Sequence, residues 1–407
     1  MPPQDRARLS TTTALALCSL AAVLAISCNA GKGDASFGGD ASQASEFAPG
    51  LAYTNYRFAD APWSIHVVRM SRADSTLSIR TPHARGGVGG ISRVSDQMEA
   101  LRETGVEPLA AVNGDFYARD RSAYAGDPRG LQIVDGDLIS APIGGVAFWI
   151  DTNGAPHLTN VVSNFKITLP GGTSFPFGLN QARTDSVVLY TPAMGTSTST
   201  RGGTEIVLEA ADKGPWLPLE VGETISARTR EVRHSGNAPL APGLMVLSVP
   251  PQLAGGWPVI EAGAVIKIST STTPELRGVR TAISGGPVLV RDGEVQRLQV
   301  PRTVNAMAYE FRSMKERHPR SAIGWNDRYF FLIQVDGRQP GLSVGMTLEE
   351  LGRFAARQLR VTDMMNLDGG VSSTLWADGR VRNSPADRGQ EKDLANAVAI
   401  VRLNKAR

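Results

Sequence analysis

Four Asx-Gly pairs, Asp135-Gly136, Asn153-Gly154, Asp292-Gly293 and Asp378-Gly379, each stand between two short apolar runs. Both residues of such a pair tolerate the positive φ of a type I′ turn, so each pair predicts a β-hairpin. A chain that reverses this often lays its strands antiparallel. Residues 150–280 continue in the same manner, with many Gly and Pro turns and no long helical period. Helical spacing occurs on either side. Val94, Met98 and Leu101 recur at i, i+4 and i+7 with Gly105 as a stop, which predicts a helix over 92–104. Thr347 followed by Glu350 forms a capping box ahead of Leu348, Leu351, Ala355 and Leu359. The expected class is α+β: a mixed, largely antiparallel sheet core with a few packed helices and a β-rich central insertion over about 150–280. Within it, Ile65–Met70 and Leu77–Arg80 read as a pair of strands, and Tyr329–Val335 as a buried one.

Composition limits what such a fold can do. The 407 residues are 42% hydrophobic and 20% charged, which excludes a mostly disordered chain. The net charge of +3 shows no basic cluster, so no nucleic-acid partner is expected. The two cysteines, Cys18 and Cys28, both precede the folded part, which therefore has neither a disulfide nor a thiolate zinc site. The five histidines are isolated, so no metal site is expected from them.

The N-terminus reads as an export signal. Arg6 and Arg8 precede an apolar run from Ala14 to Ile26, too short to span a bilayer. It ends at Ala25-Ile26-Ser27-Cys28, which resembles a bacterial lipobox, so Cys28 is the expected lipidation site. The division expected is a lipoprotein signal peptide over 1–27, a flexible tether over 28–50 and one domain over 51–407, anchored in the bacterial cell envelope, periplasmic or on the outer surface.

Chemistry is expected where buried strands end in polar residues. Met364–Leu367 runs into Asp368-Gly369-Gly370, followed by Ser372, Ser373 and Thr374. A carboxylate beside two glycines and hydroxyl donors could flank an anion nest. Leu109–Val112 runs likewise into Asn113-Gly114-Asp115-Phe116-Tyr117, where amide, carboxylate and aromatic rings suit a sugar. His318 and Arg320 offer a titrating imidazole and a phosphate fork. Each segment also fits an ordinary strand-end turn or a solvated loop. No nucleophile elbow, P-loop or dinucleotide fingerprint is present.

Taken in order, Asn113-Gly114-Asp115-Phe116, Ser284-Gly285-Gly286-Pro287, His318-Pro319-Arg320-Ser321, Val335-Asp336-Gly337-Arg338, Asn366-Leu367-Asp368-Gly369-Gly370-Val371-Ser372-Ser373-Thr374 and Asn396-Ala397 resemble the phosphodiester glycosidase family. Asn180–Arg183 and Leu189–Pro192 resemble its secreted bacterial members. The likeness runs from about residue 108 to the end. It departs at Val371, where a third glycine is usual, and at Ser321, where threonine is usual. The resemblance implies an exported hydrolase that cuts the glycosidic bond of sugar-1-phosphodiesters in envelope or extracellular polysaccharide. Asp368 is then the expected nucleophile or base. His318, Arg320 and the Gly369 and Gly370 backbone would hold the phosphate, oriented by Ser372 or Ser373. Asn113 and Asp115 would hold the sugar hydroxyls, with Asp115 and His318 further catalytic candidates and Gly285, Gly286, Asp336 and Asn366 lining the site. No cofactor is required; a divalent cation on Asp115 or Asp368 stays open, without a complete ligand set. The alternative is a non-catalytic surface protein that binds polysaccharide through the same cleft.

Overall fold

Along the Trp63–Ser71 strand, apolar side chains alternate between two cores, Val68 and Met70 entering one and Ile65 and Val67 the other. This strand lies within a nine-stranded sheet of the computed structural model, which describes residues 40–403 except 43, 60, 85–86, 120–121, 215 and 299–312. Tyr329–Val335, Arg320–Trp325, Asp363–Asn366 and Val288–Arg291 follow it in that order, each pair antiparallel. One face of the sheet is covered by the Leu348–Gln358 helix, whose Leu351, Phe354 and Ala355 pack with Val67, Ile333 and Val335. That helix begins with the reciprocal cap its spacing predicts: Glu350 N–H donates to the Thr347 hydroxyl, and Thr347 N–H donates to the Glu350 carboxylate.

The other face meets a second sheet of five strands, ordered Arg380–Val381, Leu375–Ala377, Glu107–Asn113, Ala397–Arg402 and Leu77–Arg80. Ile323, Leu332 and Met365 of the first sheet share a core with Val112, Leu375, Val398 and Ile400 of the second. Each such fully buried aliphatic contributes about 1.5–3 kcal/mol. The outer face of the second sheet carries the Val94–Glu103 helix, through Val94 and Met98 on Ala111, Ala397 and Ala399. The layers thus run helix, sheet, sheet, helix.

Residues 132–284 add a six-stranded and an eight-stranded sheet that share a core around Ile133, Trp149, Ile206, Leu247 and Ile266. Between 150 and 280 the described residues include only two short helical turns, Pro192–Met194 and Pro251–Ala254. One strand pair there is parallel, Gly178–Leu179 with Val188–Tyr190. The large antiparallel sheets match the sequence expectation, but strand outweighs helix more heavily than α+β implies.

Some local readings need correction. Ile65–Met70 and Leu77–Arg80 are both strands, yet they lie in different sheets, because the chain crosses the sandwich between them. Ser45–Ala48, read as tether, pairs with Leu51–Phe58, as does Asp40–Ala41. Asp135-Gly136, Asp292-Gly293 and Asp378-Gly379 have positive φ at both residues; at Asn153-Gly154 only the glycine does. There the Asp151 carboxylate holds a longer loop by accepting from Asn153 and Ala155 N–H. The expected signal peptide and Cys28 lie outside the described residues. No helix among the described residues is long and apolar enough to cross a membrane.

Candidate active site

The Glu107–Asn113 strand of one sheet and the Asp363–Asn366 strand of the other deliver their ends to the same place. Asn113, 1% exposed, joins them. Its Oδ1 accepts from Ser321 Oγ at 2.6 Å and Thr374 N–H at 3.1 Å, while its Nδ2 donates to the Asp368 carbonyl at 2.7 Å. Asp368 N–H in turn donates to Gly114 O at 3.0 Å. Gly114 is tied to glycine by space, since a Cβ there would strike Asn396 Oδ1. The Asn113 Oδ1 is thus filled by two donors, one Nδ2 hydrogen is spent on the Asp368 carbonyl, and the buried amide ties the two strand ends together.

Two buried carboxyl groups meet at this junction. Asp368 Oδ1 accepts from Gly369 N–H at 2.9 Å, and Oδ2 accepts from Arg119 Nη2 at 2.5 Å. Burial raises its pKa, and the Arg119 charge opposes that rise. Asp115 lies deeper in electrostatic terms. Its Oδ1 accepts from Phe116 N–H at 2.7 Å, and its Oδ2 is buried with no partner. Burial pushes its pKa up to about 7, opposed by the Phe116 bond and reinforced by the Asp368 charge. Two acids with different environments divide into different protonation roles. Further unpartnered buried oxygens are found at Asn366 Oδ1, Ser373 Oγ and Thr374 Oγ1, so the junction holds hydrogen-bonding capacity that the fold itself does not use.

The phosphate-binding residues expected from sequence are placed differently. The Arg320 guanidinium is buried and donates to the carbonyls of Met346, Ser313 and Glu316, which makes it a brace for the chain before the Arg320–Trp325 strand. The exposed Arg338 guanidinium is the one that lies over Gly370, at the spot a Cβ there would approach to 3.2 Å. Arg338 Nη2 also lies 3.3 Å from His318 Nδ1, and His318 Nε2 lies 3.1 Å from Glu316 Oε2. An arginine can only donate, so this imidazole carries its proton on Nε2. Partial burial and the nearby Arg320 and Arg338 charges lower its pKa, so His318 is neutral at pH 7 and sits at the edge of the junction. The nest expected of Gly369 and Gly370 is closed, because their N–H groups donate to Asp368 Oδ1 and Pro319 O.

Asp336 is a structural anchor. It accepts from His66, Ser64, Gln334, Asn383 and Ser384. Burial pushes its pKa up, but the His66 and Ser64 bonds outweigh this and hold it below its usual range. Asn383 also donates to Ser373 O, which links this anchor to the Ser372–Thr374 turn. Gly285 and Gly286 serve packing: a Cβ on Gly285 would lie 2.7 Å from Asn366 O, and Gly286 N–H donates to that same carbonyl. Asn366 Nδ2 donates to Gly286 O. Ser372 Oγ accepts from Arg119 Nη2 at 3.2 Å.

Sequence reading missed Arg119, Asn396 and the reach of Arg338. Asn396 Oδ1 accepts from Asp115 N–H at 2.8 Å and fixes that residue's backbone. Arg119 had no pattern to mark it, whereas Asn396 and Arg338 each stand in a segment that carried the family resemblance. Beside Arg119 lies a cavity of about 260 Å³ whose lining includes Tyr117, Ser372, Val371 and Lys392. A larger one, about 570 Å³, lies around Arg72, Asp74 and Arg328, away from these residues. Among the described residues no group of three His, Cys, Asp or Glu could hold a metal ion.

The likeness to a known family covers one side of this geometry, the part that residues after 243 supply. The model of the phosphodiester glycosidase family matches residues 243–401. A hypothetical protein of Synechocystis overlays with a TM-score of 0.68 at 18% identity, covering 88% of this chain and 63% of that one. The present chain thus spans less than two thirds of that protein's length. A protein of Burkholderia pseudomallei K96243, described as a candidate exported protein, overlays at 0.63 with 20% identity, covering 85% and 74%. The catalytic domain of zebrafish N-acetylglucosamine-1-phosphodiester alpha-N-acetylglucosaminidase, auto-inhibited by its pro-peptide, overlays loosely, at 0.44 with 16% identity and coverage of 89% and 87%. No curated protein matches the chain. The first two likenesses speak for the fold, and the stretch that matches the phosphodiester glycosidase model, residues 243–401, contributes Asp368, Arg338 and Asn396.

Proposed function

We propose that this protein is an exported hydrolase that cleaves the glycosidic bond of sugar-1-phosphodiesters in envelope or extracellular polysaccharide. The observation that carries the reading is the pair of buried carboxyl groups, Asp115 and Asp368, brought together from two sheets with Arg119 on one of them. The family match supports a hydrolase of the glycosidase kind and, with it, a sugar-phosphodiester substrate. The signal-like N-terminus, the lipobox at Cys28 and the likeness to a candidate exported protein support an envelope location with a lipid anchor.

In this reading Asp368 takes the proton of the attacking water, or attacks C1 itself to form a glycosyl ester whose C1–O bond water then cleaves to release the sugar and free Asp368. The C1–O bond breaks, and its electron pair leaves on the phosphate oxygen. A phosphate leaving group has a low pKa and needs charge neutralisation more than protonation. Arg119 and Arg338 supply that charge, while protonated Asp115 donates to a sugar oxygen. The proton from water ends on the released phosphate monoester, so sugar and monoester are the only products. The test is hydrolysis of sugar-1-phosphodiesters in ¹⁸O-water by the purified protein. Label in the sugar supports C–O cleavage, label in the phosphate replaces it with P–O cleavage, and no turnover of any diester leaves a polysaccharide-binding protein.

A further inference from the structure

The cavity beside Arg119 has a lining that divides by chemistry. Arg119 and Lys392 bring positive charge, and Ser372 brings a hydroxyl already bonded to Arg119. Ile91, Ala118, Ala125 and Val371 bring only methyl and methylene groups. Ile91 is 45% exposed, a large aliphatic kept in water at the cavity lining instead of in a core. Lys392 is exposed and forms no ion pair with any described residue, unlike Arg119 with its side chain on Asp368. Asp393 is the one acidic residue of the described lining, and with Arg119 paired to Asp368 it is Lys392 that offers a cation outside any described ion pair. A volume of about 260 Å³ falls just under the ~300–1,000 Å³ of sites for drug-sized ligands, which fits a short group.

Resting on the phosphodiester reading above, we infer that this cavity is the subsite for the alcohol esterified to the phosphate, and that it selects an apolar alcohol over a sugar or glycerol. Arg119 and Lys392 would face the phosphate, and the alkyl group would lie against Ile91 and Val371. Every methylene taken out of water there strengthens binding about fourfold.

The experiment titrates the protein calorimetrically with dimethyl phosphate, butyl methyl phosphate and glyceryl methyl phosphate. The butyl ester should bind about tenfold or more tighter than the dimethyl ester, and the glyceryl ester no tighter than the dimethyl one. Ile91→Asp and Val371→Gly, each checked for folding by near-ultraviolet circular dichroism, should cut the butyl advantage to below about threefold. Lys392→Ala should weaken all three esters alike. Equal affinities, a preference for the glyceryl ester, a butyl advantage that survives in both variants, or no binding at all would overturn the inference. Binding is read without turnover. A protein that prefers the butyl ester but hydrolyses no sugar phosphodiester keeps this subsite and loses the proposed activity; one that hydrolyses but ignores alkyl length does the reverse.

Discussion

A carboxyl group out of water beside a second carboxyl is held in its neutral form, and for Asp115 the consequence can be measured. Its folded-state pKa of about 7 lies above the unfolded value near ~4. The stability it contributes is therefore complete below about pH 4 and is lost as pH rises through about 7, a change on the order of 4 kcal/mol. Asp115→Asn, which keeps an oxygen for Phe116 N–H, should make urea-unfolding stability fall less steeply between pH 5 and 8 than the native protein's. The same titration should depress kcat/KM above pH 7, because the donor form of Asp115 disappears. At Asp368, replacement by Asn should lower kcat by about 10²–10⁴-fold with little loss of stability. Arg119→Ala should cost turnover too and move the acidic limb of the pH profile upward, since the charge opposing the rise at Asp368 is gone. Both acids were legible in the sequence because polar residues end two apolar strands. Arg119 was not, since its place on Asp368 depends on a fold contact between residues 249 positions apart.

Elements were legible to the extent that their signals are local. The cap at Thr347 and the apolar stripe behind it need only neighbouring residues, and the helix follows them. Thr347→Ala should cost about 1 kcal/mol in denaturant unfolding, with site chemistry unchanged. Strand partners are not local. Leu77–Arg80 carries the alternation of a strand, but nothing in it says that its neighbour is Ala397–Arg402 rather than Trp63–Ser71. Glycine patterns mislead in the same way. Gly369 and Gly370 suggest an open anion cradle, yet their N–H groups close on Asp368 and Pro319 once the turn is packed. Gly285→Ala should destabilise the Asp363–Asn366 strand by about 1–3 kcal/mol, because the added methyl collides with Asn366 O and Met365. Loss of activity in that variant should track loss of thermal stability.

Across the whole molecule, the nine-stranded sheet begins with chain that sequence alone assigned to a tether. A protein starting at residue 51 should melt lower and aggregate sooner than one starting at 37, because Leu51–Phe58 would lose its pairing with Ser45–Ala48 and Asp40–Ala41 and become a bare edge. Light scattering during a thermal ramp distinguishes the two. Asp115 follows a strand of one sheet and Asp368 a strand of the other, with Asn113 as the stitch between them. Alkali that ionises both acids therefore acts as a wedge driven into the sandwich, and a proton withdrawn from one carboxyl becomes a mechanical load on two layers of β-structure.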